Sequence, residues 1–302
     1  MGPAVRSDDV PTRRPRRRRK GAAIFTSLVV LVLAVGGYFA YSAFRHVQPF
    51  IIGSGCQAGS GTNAVSLDTE QANVAATIAG VAAHEHLPRH AVTIAYATAM
   101  QESHLHNLNY GDLDSVGVFQ QRPSEGWGTT TQLEDPVYAT TKFFGALVRV
   151  HGYLNMPVGQ AAQAVQRSAD GSAYSQYDLT ASALTSAFTG QWPRSVWCWY
   201  APGPHPKTNF AAAARAMATT FGSPGRDRAV LGFTTSRSGK YPVAVVRVRS
   251  AAAWTVASWL VAHAQVYGIS DVRYAGYEWQ TANGSRGWQP DAGSAAGSIL
   301  LH

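Results

Sequence analysis

Cysteine is scarce in this chain of 302 residues: Cys56 and Cys198 are its only two, which leaves room for one bridge at most. Excess positive charge is also nearly absent from most of the chain, although the formal net charge is +8. Nine of the 25 Lys and Arg side chains fall in residues 1–45, opposed only by Asp8 and Asp9; beyond residue 45, 16 basic side chains face 15 acidic ones. So neutral a body lacks the basic face that phosphate-backbone binding needs, and no nucleic-acid partner is expected. Five of the ten histidines, His84, His86, His90, His104 and His106, lie close together, but "HEHLPRH" does not make the HExxH spacing and Leu87-Pro88 interrupts the helix that would align ligands. No metal or cofactor is therefore expected. No Gly-x-Ser-x-Gly elbow precedes a helix, which disfavours a serine hydrolase. No internal repeat is visible.

One long uncharged run is present. Residues 21–44 carry no charge over 24 positions and follow the Arg-rich block. That length suffices to cross a hydrocarbon core of about 30 Å as a helix. Tyr38 and Tyr41 suit an interfacial belt, and the Arg cluster marks the cytoplasmic side. The expectation is a cytoplasmic tail over 1–21, a single membrane-spanning helix over 22–44 that places the chain among membrane lipids, and everything beyond it outside the cell membrane. A cleaved signal peptide, with Ala40-Tyr41-Ser42 as its site, is the alternative. In an oxidising space Cys56 and Cys198 are expected to form a disulfide, worth up to about 5 kcal/mol in the chain-entropy model.

Residues 45–66 read as a tether that spans at most roughly 70 Å when extended. A mostly helical domain is expected over 67–221. Asp68 caps a first helix carrying Val74, Ile78 and Val81 at helical spacing, and Pro88 fits the first turn of a second that runs to Glu102. Further helices are expected over 136–152, 158–168, 173–189 and 208–221, with one short extended segment near Val116–Gln121. A composition break at "GSPGRDR" opens a small C-terminal α/β module over 222–302. There "YPVAVVRV" and "ISDVRYAGYEW" read as strands, "SAAAWTVASWLVAHAQVYG" as an amphipathic helix and "SILLH" as a final edge strand. The fold class is α+β.

Glu102 follows Ala99, Ala95 and Ile94 by three, seven and eight residues, so it projects from the apolar stripe of its helix. Burial keeps a carboxyl protonated toward neutral pH, as a general acid requires. A glutamate idling at a frayed helix end has the same periodicity.

The order "TIAYATAMQES", "DSVGVFQQ", "DPVYATTKFFGAL" and "AAQAVQRS" resembles the lysozyme-like superfamily, and within it the transglycosylase domain of soluble lytic transglycosylases. Glu102-Ser103 matches the family's helix-ending Glu-Ser, Gly117-Val118-Phe119-Gln120 its Gly-x-x-Gln turn, and "PVYATTKFFGAL" the helix that closes its cleft. The fourth element departs: Val165-Gln166-Arg167-Ser168 stands where the family has Tyr-Asn-Ala-Gly, so Gln166 replaces a sugar-binding Asn. The whole pattern is similar to membrane-anchored proteins of actinobacteria. The resemblance covers 67–200 and implies cleavage of the β-1,4 glycosidic bond between N-acetylmuramic acid and N-acetylglucosamine in peptidoglycan glycan strands. Glu102 would be the catalytic residue, with Ser103, Tyr110, Gln120, Gln121, Trp127 and Gln166 at the substrate. Asp112 and Asp114 are the possible second acids, which a hydrolase would need and a lytic transglycosylase would not. A lysozyme-type hydrolase and a catalytically inactive wall-binding scaffold are the alternatives.

Overall fold

Asp68 starts the helical body with a capping box. Its carboxylate accepts from the Gln71 backbone N–H at 2.8 Å, and the Gln71 side chain accepts from the Asp68 N–H at 2.9 Å. Two donors that a helix end leaves unpaired are thereby satisfied. The computed structural model describes residues 35–38, 53–167, 172–204 and 206–302. In chain order its main elements are β1 (Gly55–Ala58), β2 (Val65–Leu67), α1 (Thr69–His84), α2 (Arg89–Ser103), α3 (Thr130–Leu133), α4 (Pro136–Leu147), α5 (Val158–Gln166), α6 (Ser172–Ser175), α7 (Asp178–Phe188), β3 (Val196–Trp199) and α8 (Phe210–Phe221). There follow β4 (Val230–Ser238), β5 (Tyr241–Val248), α9 (Ala253–Ala262), α10 (Ala264–Tyr267), β6 (Asp271–Tyr274), β7 (Tyr277–Gln280), β8 (Gln289–Pro290) and β9 (Ser298–Leu301).

Helix α2 is the axle of the body. Its run Ala91–Ala99 is buried on every side, against α1, α5 and α7. Small alanines let those neighbours approach, and its polar groups are spent internally. The Tyr96 hydroxyl donates to the Ala75 carbonyl at 2.8 Å, and the Thr93 and Thr185 hydroxyls lie 2.9 Å apart. Helix α1 is similarly enclosed. At Gly80 a side-chain carbon would fall 2.4 Å from Thr220 of α8, so glycine is what permits that close crossing.

A three-stranded antiparallel sheet of order β2-β1-β3 sits beside the helices and holds Cys56 directly opposite Cys198. The two form a disulfide that closes a span of 142 residues. Strand β1 and the first two residues of β2 lie within 45–66, the stretch read as a tether. The second sheet has six antiparallel strands in the order β4-β5-β9-β6-β7-β8.

The expected fold class needs correction in two respects. No helix among the described residues is long and apolar enough to cross a membrane. Of residues 22–44 only 35–38 are described, one helical turn with Val35 and Tyr38 exposed; the rest of that run and the basic tail 1–21 lie outside the described residues. Ile52–His302 forms one compact unit. The C-terminal part is also not a separate α/β module. Its strands are all antiparallel, and α9 packs against α1, so a single apolar core runs from Cys56 to Leu301. "ISDVRYAGYEW" is not one strand but the hairpin β6–β7, turned at Ala275 and Gly276, whose φ values of 51° and 83° suit a two-residue hairpin. "SILLH" is no edge: β9 lies between β5 and β6.

Candidate functional site

Helix α2 stops abruptly after Ser103, because His104 and Leu105 both take left-handed conformations, with φ of 53° and 62°. The Leu105 N–H then returns to the Ala99 carbonyl at 3.1 Å and its side chain is fully buried, as in a Schellman-type stop. Glu102 is thus fixed on the last turn, half-buried.

Beside it the segment 116–121 folds into a tight turn closed by the reciprocal bridge of Val116 and Gln121, both N–H to O distances being 3.1 Å. Gly117 takes φ +77°, and a side chain there would fall 2.2 Å from the Leu133 carbonyl oxygen. The turn is tied down at three points. The Ser103 hydroxyl lies 2.7 Å from the Val118 carbonyl, the Phe119 ring stacks on Phe143 at 4.5 Å inside the core, and the Phe119 carbonyl accepts from the Gln166 amide at 2.8 Å.

These ties converge on the glutamate. Gln166, at the end of α5, donates its second amide hydrogen to Glu102 Oε1 at 3.1 Å. Tyr174 of α6, 2% exposed, donates its hydroxyl to the same oxygen at 2.7 Å. No described group donates to Oε2. Among the described residues, one carboxylate oxygen is held by two donors and the other by none.

The remaining expected site residues disperse. The Ser103 hydroxyl is directed to the Ala99 and Val118 carbonyls and not to the Glu102 carboxylate, so it fastens the helix end to the turn. Gln120 spends its amide on the carbonyls of Tyr110 and Gly117, both at 3.2 Å. Gln121 is buried, with its amide 3.3 Å from the Ala139 carbonyl and its own oxygen unpartnered. Tyr110 is 68% exposed. Asp112 is exposed, and nothing joins it to Glu102. Asp114 accepts from Arg122 Nε at 2.8 Å and from the Ser124 N–H and hydroxyl at 2.8 and 2.9 Å. The Arg122 guanidinium, aided by the Ser124 N–H, pulls the Asp114 carboxyl down to about 2. The histidines do not converge either: His90 faces the Met156 carbonyl at 3.0 Å and His106 the Asp68 carboxylate at 2.9 Å. Among the described residues no group of three His, Cys, Asp or Glu is placed to hold a metal.

Trp127 borders a cavity of about 580 Å³ that also takes Val165 and Arg167, the two neighbours of Gln166, into its wall. Lys142 and Arg149 of the α4 region complete a cationic lining with Glu125 as its one carboxylate, and Glu125 is already 3.3 Å from Arg122. Lys142, Arg149 and Arg167 make no ion pair with a described residue. Sequence reasoning missed these three cations and Tyr174. Tyr174 stands alone in a four-residue helix, where no periodicity could single it out. In comparisons with known proteins, no family model matches the chain and no curated protein is significantly similar to it.

Proposed function

We propose that the chain is a lytic transglycosylase that cuts the β-1,4 bond between N-acetylmuramic acid and N-acetylglucosamine in peptidoglycan, with Glu102 as its single acid and base. The observation that carries this reading is the one-sided tethering of Glu102: Tyr174 and Gln166 both grip Oε1 and leave Oε2 to meet the glycosidic oxygen. In the first half of the reaction the Glu102 carboxyl gives its proton to the leaving oxygen, and the bond from that oxygen to the anomeric carbon breaks. In the second half the muramyl 6-hydroxyl attacks the anomeric carbon and gives its proton back to Glu102, closing a 1,6-anhydro ring. No water is consumed and no second carboxylate is required. The donors on Oε1 stabilise the carboxylate that exists between the two halves.

Hydrolysis would need a partner carboxylate, about 5–5.5 Å or about 6.5–9.5 Å from the acid. Asp114 is an unsuitable partner because Arg122 and Ser124 consume its acceptor sites. The cationic cavity beside Gln166 suits the lactyl and peptide carboxylates of the wall polymer. A disulfide-bonded fold acting on peptidoglycan belongs on the outer side of the cytoplasmic membrane.

Mass analysis of fragments released from purified peptidoglycan tests the proposal. Anhydro-muramyl ends should form, vanish with Glu102→Gln, and persist at most of the parent rate with Asp112→Asn or Asp114→Asn. Reducing-end muramic acid as sole product, lost with either aspartate variant, would make the protein a hydrolase. Tight wall binding with no fragments released would make it a scaffold.

A further inference from the structure

A second cavity, about 470 Å³, lies where the three-stranded sheet meets the turn that precedes β8, and none of its lining belongs to the Glu102 site. Three tryptophans from separate places face it: Trp192 from the loop after α7, Trp197 from β3, and Trp288 from just before β8. Each is only half-buried. Trp288 is fixed by its indole N–H, which donates to the Val196 carbonyl at 2.8 Å. The Trp197 indole N–H is different. It is shut off from bulk solvent and has no partner, an uncommon condition for a buried donor. At Gly287, φ +66°, a side-chain carbon would rest 3.4 Å from the Trp197 ring, so this turn lies directly against that ring.

Two guanidiniums share the lining. Arg194 lies over the Tyr277 ring at 4.0 Å, which holds it in place without neutralising it. Arg286 is exposed at the other side. Neither forms an ion pair with a described residue, and no carboxylate lines the cavity.

We infer that this cavity is a binding site for a carboxylated sugar, separate from the site of cleavage. Indole faces offer flat apolar surfaces for the C–H face of a pyranose ring, and guanidiniums bind a carboxylate with paired, charge-assisted hydrogen bonds. The Trp197 indole N–H, unpartnered in a residue of the cavity wall, is a built-in reporter of its occupancy. Volume agrees, since small-ligand sites commonly occupy about 300–1,000 Å³. Indoles with arginines also suit single-stranded nucleic acid, but that requires a basic track along a groove, and the chain beyond residue 45 is almost neutral. The choice of N-acetylmuramic acid as the sugar rests on the proposed wall substrate; the recognition of a carboxylate does not. The site would keep the protein on the glycan strand while Glu102 works elsewhere along it.

The test follows the Trp197 indole N–H resonance of the full-length protein with Glu102→Gln, which prevents turnover. The probes are the disaccharide of N-acetylglucosamine and N-acetylmuramic acid, its carboxyl-free counterpart di-N-acetylchitobiose, and an oligodeoxythymidylate. The muramyl disaccharide should shift the Trp197 signal saturably, and chitobiose should need at least tenfold more. Combined Arg194→Gln and Arg286→Gln should raise the muramyl concentration required by at least tenfold, while the thermal midpoint of these surface variants stays put. A Trp197 signal that ignores both sugars, responds equally to them, is unaffected by the arginine changes, or answers only to the oligonucleotide would overturn the inference. Loss of wall cleavage alone would bear on Glu102 and not on this site.

Discussion

Tyr174→Phe removes the shorter of the two hydrogen bonds to the proposed acid. The ring is buried and phenylalanine fills the same space, so the change removes little more than the hydroxyl that sits 2.7 Å from Glu102 Oε1. Gln166 remains on that oxygen at 3.1 Å, so the carboxylate keeps one donor. A hydrogen bond to a charged group is worth about 1.5–3 kcal/mol. It strengthens as Glu102 gives up its proton, so most of its worth is felt in the transition state and not in substrate binding. At about 1.36 kcal/mol per tenfold, kcat/KM should fall by roughly 10- to 150-fold, chiefly in kcat. The assay is the initial rate of anhydro-muropeptide release from purified peptidoglycan, run beside thermal melts of both proteins. A phenylalanine variant that folds normally and works within about twofold of the parent would refute the argument that the one-sided tether serves the chemistry.

The disulfide should dominate the stability of the body: reducing it, or Cys56→Ala, should cost about 5 kcal/mol for a span of 142 residues, a fall of about 10–20 °C in Tm, and a fall under about 3 °C would refute this. His263 should make the fold acid-sensitive. Burial against Trp259, only partly offset by the hydrogen bond to the Trp259 carbonyl, depresses its imidazole to about 4 from an ordinary 6.5. The unfolded chain therefore takes up a proton that the folded chain refuses, and stability is lost as pH falls from about 6.5 toward 4, by about 3 kcal/mol in all. Denaturation at pH 7 and pH 4.5 should show His263→Phe losing correspondingly less between the two, and equal losses would exclude His263 as the cause.

Much of the helical body was legible because its signals are local. Asp68 with Gln71 three residues on is a capping box readable at a glance, and Pro136 behind Asp135 marks the start of α4 in the same way. The C-terminal strands were less legible for a reason of topology. "SILLH" alternates as a strand should, with Ile299 and Leu301 inward, but alternation says nothing about which neighbours it takes, and the last strand of the chain went to the middle of the sheet. Helix α9 was readable as a helix, yet its partner was not. Its face is covered by α1, almost two hundred residues earlier, and no periodicity reports a contact at that separation.

The site divides along the same line. Glu102 and Gln166 could be found because a pattern of four short elements in order pointed to both, whereas Gln120, named by that same pattern, serves its own loop. A glutamine beside a glutamate in a motif can support the chemistry or the turn, and only the direction of its amide tells which. Tyr174 carried no signal at all, since one tyrosine among thirteen is unremarkable until a fold sets its hydroxyl against a carboxylate. Gln166 gains meaning from the same geometry. It departs from the resembled pattern, where an Asn stands, and its amide bridges the turn and the acid at once, 2.8 Å from Phe119 O and 3.1 Å from Glu102 Oε1. The longer side chain lets one residue fasten both, so under the proposed function the departure is a different way of holding the glutamate.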